Sequence, residues 1–243
     1  MKFYNALSTY FASRLDSAET LNLSSVLEDV ITRFKWANVT YLGSGFNGSE
    51  LGEDVLITTY ENDWIARYNQ QNYKYIDPVV SRSSQSLLPI DWGQIELNSR
   101  EIRTFFGEAQ ELGVGKAGLT VSVRGLCGDS SIFSINTHDA GSSWELRKAE
   151  ILCDLIYFAH LFHNEVLKEQ RQNSCDSAPK LTRREQDVLR WAAKGKTAWE
   201  TARILKLSEK TISFYISNAA IKLNVATKTQ AVAKSISQHL LII

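Results

Sequence analysis

Residues 181–225 read LTRREQDVLRWAAKGKTAWETARILKLSEKTISFYISNAAIKLNV, and the punctuation in this stretch decides the architecture of the carboxy-terminal part of the chain. Thr182-Arg-Arg-Glu185 and Thr197-Ala-Trp-Glu200 each place a threonine three residues before a glutamate. In that arrangement the two side chains satisfy each other's orphan backbone amides, so a helix is predicted to start at each. The first runs to Lys194, buries Val188, Leu189 and Ala192, and closes at Gly195, a residue suited to a left-handed cap. The second runs to Lys206 and buries Ala202 and Leu205; Leu207 makes the turn and Ser208 caps a third helix. That third helix keeps Ile212, Tyr215, Ile216, Ala219 and Leu223 inward and leaves Lys210, Ser213, Phe214, Ser217, Asn218 and Lys222 outside. A fourth, from about Thr229 to Leu240, covers the open side with Ala231, Val232 and Ile236. A short helix, a tight turn and a longer helix form the geometry that places one helix in a major groove.

Charge supports the same reading. The 243 residues carry no net formal charge, yet from Lys180 onward there are 12 Lys and Arg against 4 Asp and Glu, net +8. The preceding residues hold 15 basic and 23 acidic side chains, net −8. A surplus of eight on about sixty residues exceeds what solubility requires and suits a phosphate-rich partner. Length and an apolar content of 44% are enough for two cores. Arg171 to Lys180 is polar, contains Pro179 and has no apolar period, which makes residues 171–180 a linker.

The amino-terminal part mixes both periodicities. Val26, Val30 and Phe34 have helical spacing; Trp36 to Leu42 and Asp54 to Thr59 read as strands; Asn62 to Asn72 reads as a helix, with others from Pro78 and Ser99. Ala117 to Arg124 and Ser130 to Thr137 form an antiparallel hairpin around the loop Gly125 to Asp129. A long helix from Ser143 to Glu169 carries Leu146, Ala149, Leu152, Ile156, Ala159, Phe162 and Val166 as a packing stripe, widened by Leu155 and Phe158. Tyr60, Trp64 and Tyr68 stand at i, i+4 and i+8, one aromatic stripe if their helix begins early enough, and such a stripe is usually core. Asp77-Pro78 reads as a helix cap followed by proline at the first helical position.

Several function classes find no support. Cys127, Cys153 and Cys175 make no C-x-x-C pair and are odd in number, which indicates neither a disulfide framework nor a cysteine metal site. His138, His160, His163 and His239 form no metal motif, and neither a Walker loop nor G-x-S-x-G occurs, so no enzyme and no cofactor are expected. The opening MKFYNALSTYF lacks the apolar core of a signal peptide and no stretch approaches a membrane span, so a cytoplasmic location is expected.

The stretch 181–225 resembles the LuxR-type helix-turn-helix, with Glu185, Leu189, Gly195, Thr211, Lys222 and Leu223 in its motif places and departures at Thr201 and Tyr215. The resemblance implies that Ser213, Phe214 and Ser217 meet bases, that Lys210 and Lys222 hold phosphates, and that Thr211 and Asn218 belong to the same DNA face. The string YENDWIARYNQQNYKYIDPVVSRSSQSLLPIDW, Tyr60 to Trp92, is similar to the acyl-homoserine-lactone-binding domain of LuxR-type quorum-sensing receptors, through Trp64, Tyr68, Asp77, Pro78 and Trp92. What this implies is an α+β chain: an α/β/α sandwich around a central antiparallel sheet at residues 1–170 and an all-α four-helix domain at 181–243. By position the Trp64 indole would donate to the lactone carbonyl and Asp77 would accept from the ligand amide. Tyr60 and Ser134 would bind the amide carbonyl, Tyr68 and Trp92 would wall the pocket, and Thr120 is a further candidate. A homodimer on double-stranded promoter DNA, with RNA polymerase as a further partner, completes what the resemblance implies.

Overall fold

The computed structural model describes residues 6–16, 21–46, 54–125, 129–139, 141–173, 180–237 and 240–241. Two compact units part between Gln172 and Asn173. In the first, helices α1 (Ala6–Leu15) and α2 (Leu23–Phe34) precede strands β1 (Asn38–Ser44) and β2 (Val55–Thr58). Helix α3 (Asn62–Gln70), a 3₁₀ turn at Tyr73–Tyr75, helix α4 (Pro78–Ser83) and the short strand β3 (Ile90–Asp91) follow. A second 3₁₀ turn at Trp92–Gln94, helix α5 (Arg100–Glu111), strands β4 (Ala117–Arg124) and β5 (Ser130–Thr137), and helix α6 (Ser142–Asn173) complete it. All strand pairs are antiparallel, in the order β2-β1-β5-β4-β3.

Alternation along the strands assigns the two faces of this sheet. Val39, Tyr41, Leu119, Val121, Phe133 and Ile135 pack with α1, α2 and α6 in one large core. Phe11, Phe133, Phe158 and Phe162 interlock there at ring separations of 5.1–6.0 Å. The intervening residues, Thr40, Leu42, Thr120, Ile132 and Ser134, face the opposite way, toward a second cluster of Trp64, Tyr73, Phe105, Ala109 and Val114. The sandwich is therefore solid on one side of its sheet and hollow on the other.

Helix α6 keeps most of the expected stripe: Leu155, Phe158, Ala159, Phe162 and Val166 are buried, and Leu152 and Ile156 pack half-buried against the core. Its first turns differ, since Trp144 and Ile151 face inward while Leu146 is 71% exposed and Ala149 faces outward. The larger apolar area of Trp144 takes the inward position there. The helix also buries Asp154, which accepts from the Leu7 and Ser8 amides and the Ser8 hydroxyl and so satisfies the open amino end of α1. His163, buried on the same helix, bonds the Tyr41 hydroxyl at 2.7 Å and His160 is exposed. Because α6 continues to Asn173, the first residues of the expected linker are helical; residues 174–179, with Cys175, lie outside the described residues, as does Cys127.

The second unit is α7 (Arg183–Ala193), α8 (Ala198–Leu205), α9 (Glu209–Lys222) and α10 (Lys228–Ser237). Both capping boxes are formed, Gly195 is left-handed at φ 79°, and the Ser208 hydroxyl accepts from the Thr211 amide. Ile212, Ala219 and Leu223 are buried as expected, joined by Ala220. On α10 Ala231 is buried and Val232 half-buried as expected, but Ile236 is exposed; Ser235 and Leu241 face inward instead, the Ser235 hydroxyl satisfied by the Ala231 carbonyl.

Candidate ligand-binding cavity and nucleic-acid interface

The hollow side of the sheet encloses a cavity of about 460 Å³. Tyr60, Trp64, Tyr68, Asp77, Trp92 and Ser134 all line it. Helix α3 begins at Asn62 as expected, so the condition for a single stripe is not met and Tyr60 lies before the helix. The Tyr60 amide is held by Thr58 Oγ1 at 3.1 Å and Glu61 is extended. The aromatic stripe is thus one helical pair, Trp64 and Tyr68 in edge contact at 5.8 Å, plus a residue from the preceding extended chain. Thr120 is off the cavity wall. It is fully buried behind Ser134, its Oγ1 taking the Trp92 indole N–H at 2.9 Å and lying 2.8 Å from Ser134 Oγ.

Asp77 serves both readings of its dipeptide. Oδ1 accepts from the Val79 and Val80 amides and caps α4, with Pro78 at its first position. Oδ2 accepts from the Tyr68 hydroxyl at 3.1 Å and belongs to the cavity. Burial pushes the Asp77 carboxyl up to about 6 despite these bonds. Burial likewise raises the Tyr60 hydroxyl to about 12, and burial with the neighbouring carboxylate raises Tyr68 further. Both phenols are neutral donors at physiological pH.

The walls that the sequence reading missed are mainly apolar: Leu42, Leu56, Ile65, Val80, Phe105, Phe106 and Ile132 among them, with Lys74 and Asp54 also lining. Leu42 and Ile132 were legible as the partners of Thr40 and Ser134 in strand alternation, since Leu42 faces Ile132 directly across β1 and β5. Helices α3 and α5 are held around the cavity by a bidentate pair, Arg67 Nε and Nη2 to Glu108 at 2.6 and 2.7 Å, with the Tyr73 hydroxyl on the same carboxylate at 2.6 Å. Among the described residues no group of three His, Cys, Asp or Glu converges on a metal position.

On α9, Lys210, Ser213, Phe214 and Ser217 are exposed and Asn218 and Thr211 half-buried, so they share an accessible side of the helix. Thr211 Oγ1 is 2.8 Å from Ser208 Oγ at the cap. Lys222 is engaged within its own domain. Its Nζ bonds Glu185 Oε2 at 2.8 Å, and Glu185 is buried while also completing the capping box of α7. Burial pushes that carboxyl up, but the Lys222 ammonium and the Thr182 amide outweigh it and hold the group below the usual range. Thr201, one of the departures, is buried with its hydroxyl returned to the Thr197 carbonyl at 2.8 Å.

Residues 21–166 match the autoinducer binding domain, and residues 179–235 match the bacterial regulatory proteins of the luxR family. The chain belongs to the LuxR family. This LuxR-family chain is 34% identical to the transcriptional activator protein VanR of Vibrio anguillarum over 80% of each chain. It is 32% identical to the quorum sensing-dependent regulator VjbR of Brucella ovis over 97% of its own length and 92% of that protein. SdiA of Escherichia coli shares the fold, with a TM-score of 0.66 and 20% identity over 98% of both chains. The protein is an autoinducer-binding transcription regulator of the quorum-sensing type with a DNA-binding helix-turn-helix.

Proposed function

We propose that the cavity takes an N-acyl-homoserine lactone, and that the occupied protein pairs as a homodimer in the cytoplasm and binds promoter DNA through α9. The observation that carries this is the composition of the cavity: one buried carboxylate acceptor, donors on Tyr60, Trp64 and Ser134, and mainly apolar walls. An amide N–H, two carbonyls and an alkyl chain complement that set without bringing a charge. The Trp64 indole takes the lactone carbonyl, Asp77 Oδ2 the amide N–H, and Ser134 and Tyr60 the amide carbonyl, with Tyr68 and Trp92 as walls. Pairing is supported by the outward side of α6, where Leu146 and Tyr157 are exposed, and by the need of so small a DNA-binding unit for two half-sites. On DNA, Ser213, Phe214 and Ser217 read base edges, Thr211 and Asn218 border them, and Lys210 holds phosphate; RNA polymerase is the partner for activation.

Expression with and without a panel of acyl-homoserine lactones, followed by extraction and mass measurement of whatever co-purifies, tests the reading. A bound lactone and higher soluble yield are expected; equal yield with nothing bound sinks it. A second reading, another neutral acyl compound, is favoured by one observation: SdiA, of the same fold, has been solved in complex with octanoyl-rac-glycerol. The same extraction distinguishes the two by mass.

A further inference from the structure

The hydroxyls on the cavity face of the sheet lie in one row. Thr58 on β2 is opposite Thr40 on β1, Thr40 is opposite Ser134 on β5, and Ser134 is opposite Thr120 on β4. At each edge a nitrogen that can only donate sets the direction of the protons. The Trp92 indole fills an acceptor site of Thr120 at 2.9 Å. Thr120 is fully buried, and Ser134 Oγ at 2.8 Å is the acceptor left for its own proton; any other arrangement strands that proton away from water. Ser134 is thus filled from behind, and its proton is left for the cavity that it lines.

On the Tyr60 side the Tyr60 backbone N–H donates to Thr58 Oγ1 at 3.1 Å and Thr58 Oγ1 lies 2.7 Å from Thr40 Oγ1, while the Tyr60 phenol meets a donor of its own. The same phenol oxygen accepts from Asn136 Nδ2 at 3.3 Å. The orientation of the Asn136 amide is not free, because its Oδ1 accepts the Gly115 N–H at 2.8 Å. Gly115 in turn sits so near Thr137 that a Cβ would come 2.5 Å from its backbone, so the close approach requires glycine.

We propose that the protons on this face are ordered by Trp92 and Asn136, so that Ser134 and Tyr60 face the cavity as donors, and that Thr120 and Asn136 are positioning residues which make the centre of the cavity select a carbonyl-type acceptor. Two donors match the two lone pairs of one carbonyl oxygen. A ligand with a hydroxyl or N–H at that point meets donors with no acceptor to spare. The identity of the acceptor as the amide carbonyl rests on the lactone reading above, with the adjoining N–H directed at Asp77.

The test is a pair of double-mutant cycles on the full chain, read as dissociation constants for N-octanoyl-homoserine lactone. Thr120→Val keeps the shape and removes the relay. It is expected to weaken binding about five- to tenfold in the parent, the range of one net hydrogen bond, but less than about twofold in a Ser134→Ala background. Thr120→Ser restores the parent value. Asn136→Asp, which keeps the acceptor for the Gly115 N–H and removes the donor to the phenol, forms the second cycle with Tyr60→Phe and stands in if Thr120→Val does not fold. Losses that multiply independently in a parent that binds the lactone overturn the proton ordering alone. A parent that binds no acyl-homoserine lactone overturns the lactone reading, and this assignment with it.

Discussion

Asp77 spends one carboxylate oxygen on the start of α4 and keeps the other for the cavity. Its carboxyl is held at about 6, above the ordinary aspartate range, by burial. The folded, unliganded chain therefore holds this proton more tightly than the unfolded chain does. The associated stability is complete below pH about 4 and is lost as pH rises through about 6, by an amount of about 3 kcal/mol for a two-unit shift. Denaturant titrations at pH 5, 6 and 7 check this by difference: Asp77→Asn, which keeps a good capping side chain, should lose less stability across that range than the parent. Parallel losses in the two proteins would refute the assignment. Lactone affinity has the opposite slope, improving from pH 5 to 7 in the parent as the acceptor ionises, and flat in the variant. At Lys222 the prediction separates two roles. Lys222→Ala leaves a buried carboxylate unpaired and should lower stability by about 1–2 kcal/mol, discounted for the partial exposure of the lysine, without changing the salt dependence of DNA binding. Lys210→Ala should do the reverse, reducing the slope of log affinity against log salt by about one.

Elements were legible where local chemistry specifies them. Hydroxyl-to-glutamate spacing located α7 and α8, and Pro78 after Asp77 located α4, because a cap is satisfied within a few residues of chain. The alternating runs of β4 and β5 were bounded correctly for the same reason, since period two over eight residues admits one pleat. What escaped was whatever depends on a distant partner. Trp144 rather than Leu146 opens the buried stripe of α6, the Glu185–Lys222 bond joins residues 37 apart, and Thr120 moved from the cavity wall to its support through Trp92. Six of the seven candidate ligand contacts nonetheless line the cavity, five of them within the resembling string from Tyr60 to Trp92, whereas the apolar wall opposite them offered no motif. The turn between α7 and α8 supplies an element-scale test. Gly195→Ala meets no steric neighbour, so its cost is that of a left-handed backbone alone, about 1 kcal/mol, and Thr197→Ala should cost a similar amount through its lost cap. Thermal unfolding of both variants checks the two figures; no change in either would mean the turn is not held by these devices.

For the whole molecule, the unliganded cavity is a thermodynamic deficit. Its apolar walls and unpaired donors gain partners only from a ligand, so occupancy should act as added stability. At about a hundred times its dissociation constant, a lactone should contribute about 2.7 kcal/mol, a sizeable part of a marginal domain's total. Melting curves of the full chain at rising lactone concentration should therefore climb without reaching a plateau near saturation of the site, and a melting point indifferent to lactone would contradict the coupling. The sheet with one solid and one hollow side has a consequence for how such a receptor changes over generations. Neighbouring positions of a single strand answer to different pressures: Tyr41, Phe133 and Ile135 are tied to the interior beneath α6, while Leu42, Ile132 and Ser134 line the cavity. Signal preference can wander through every second residue of β1 and β5 while the framework stands still, which lets a lineage adopt a new chemical dialect without first learning to fold again.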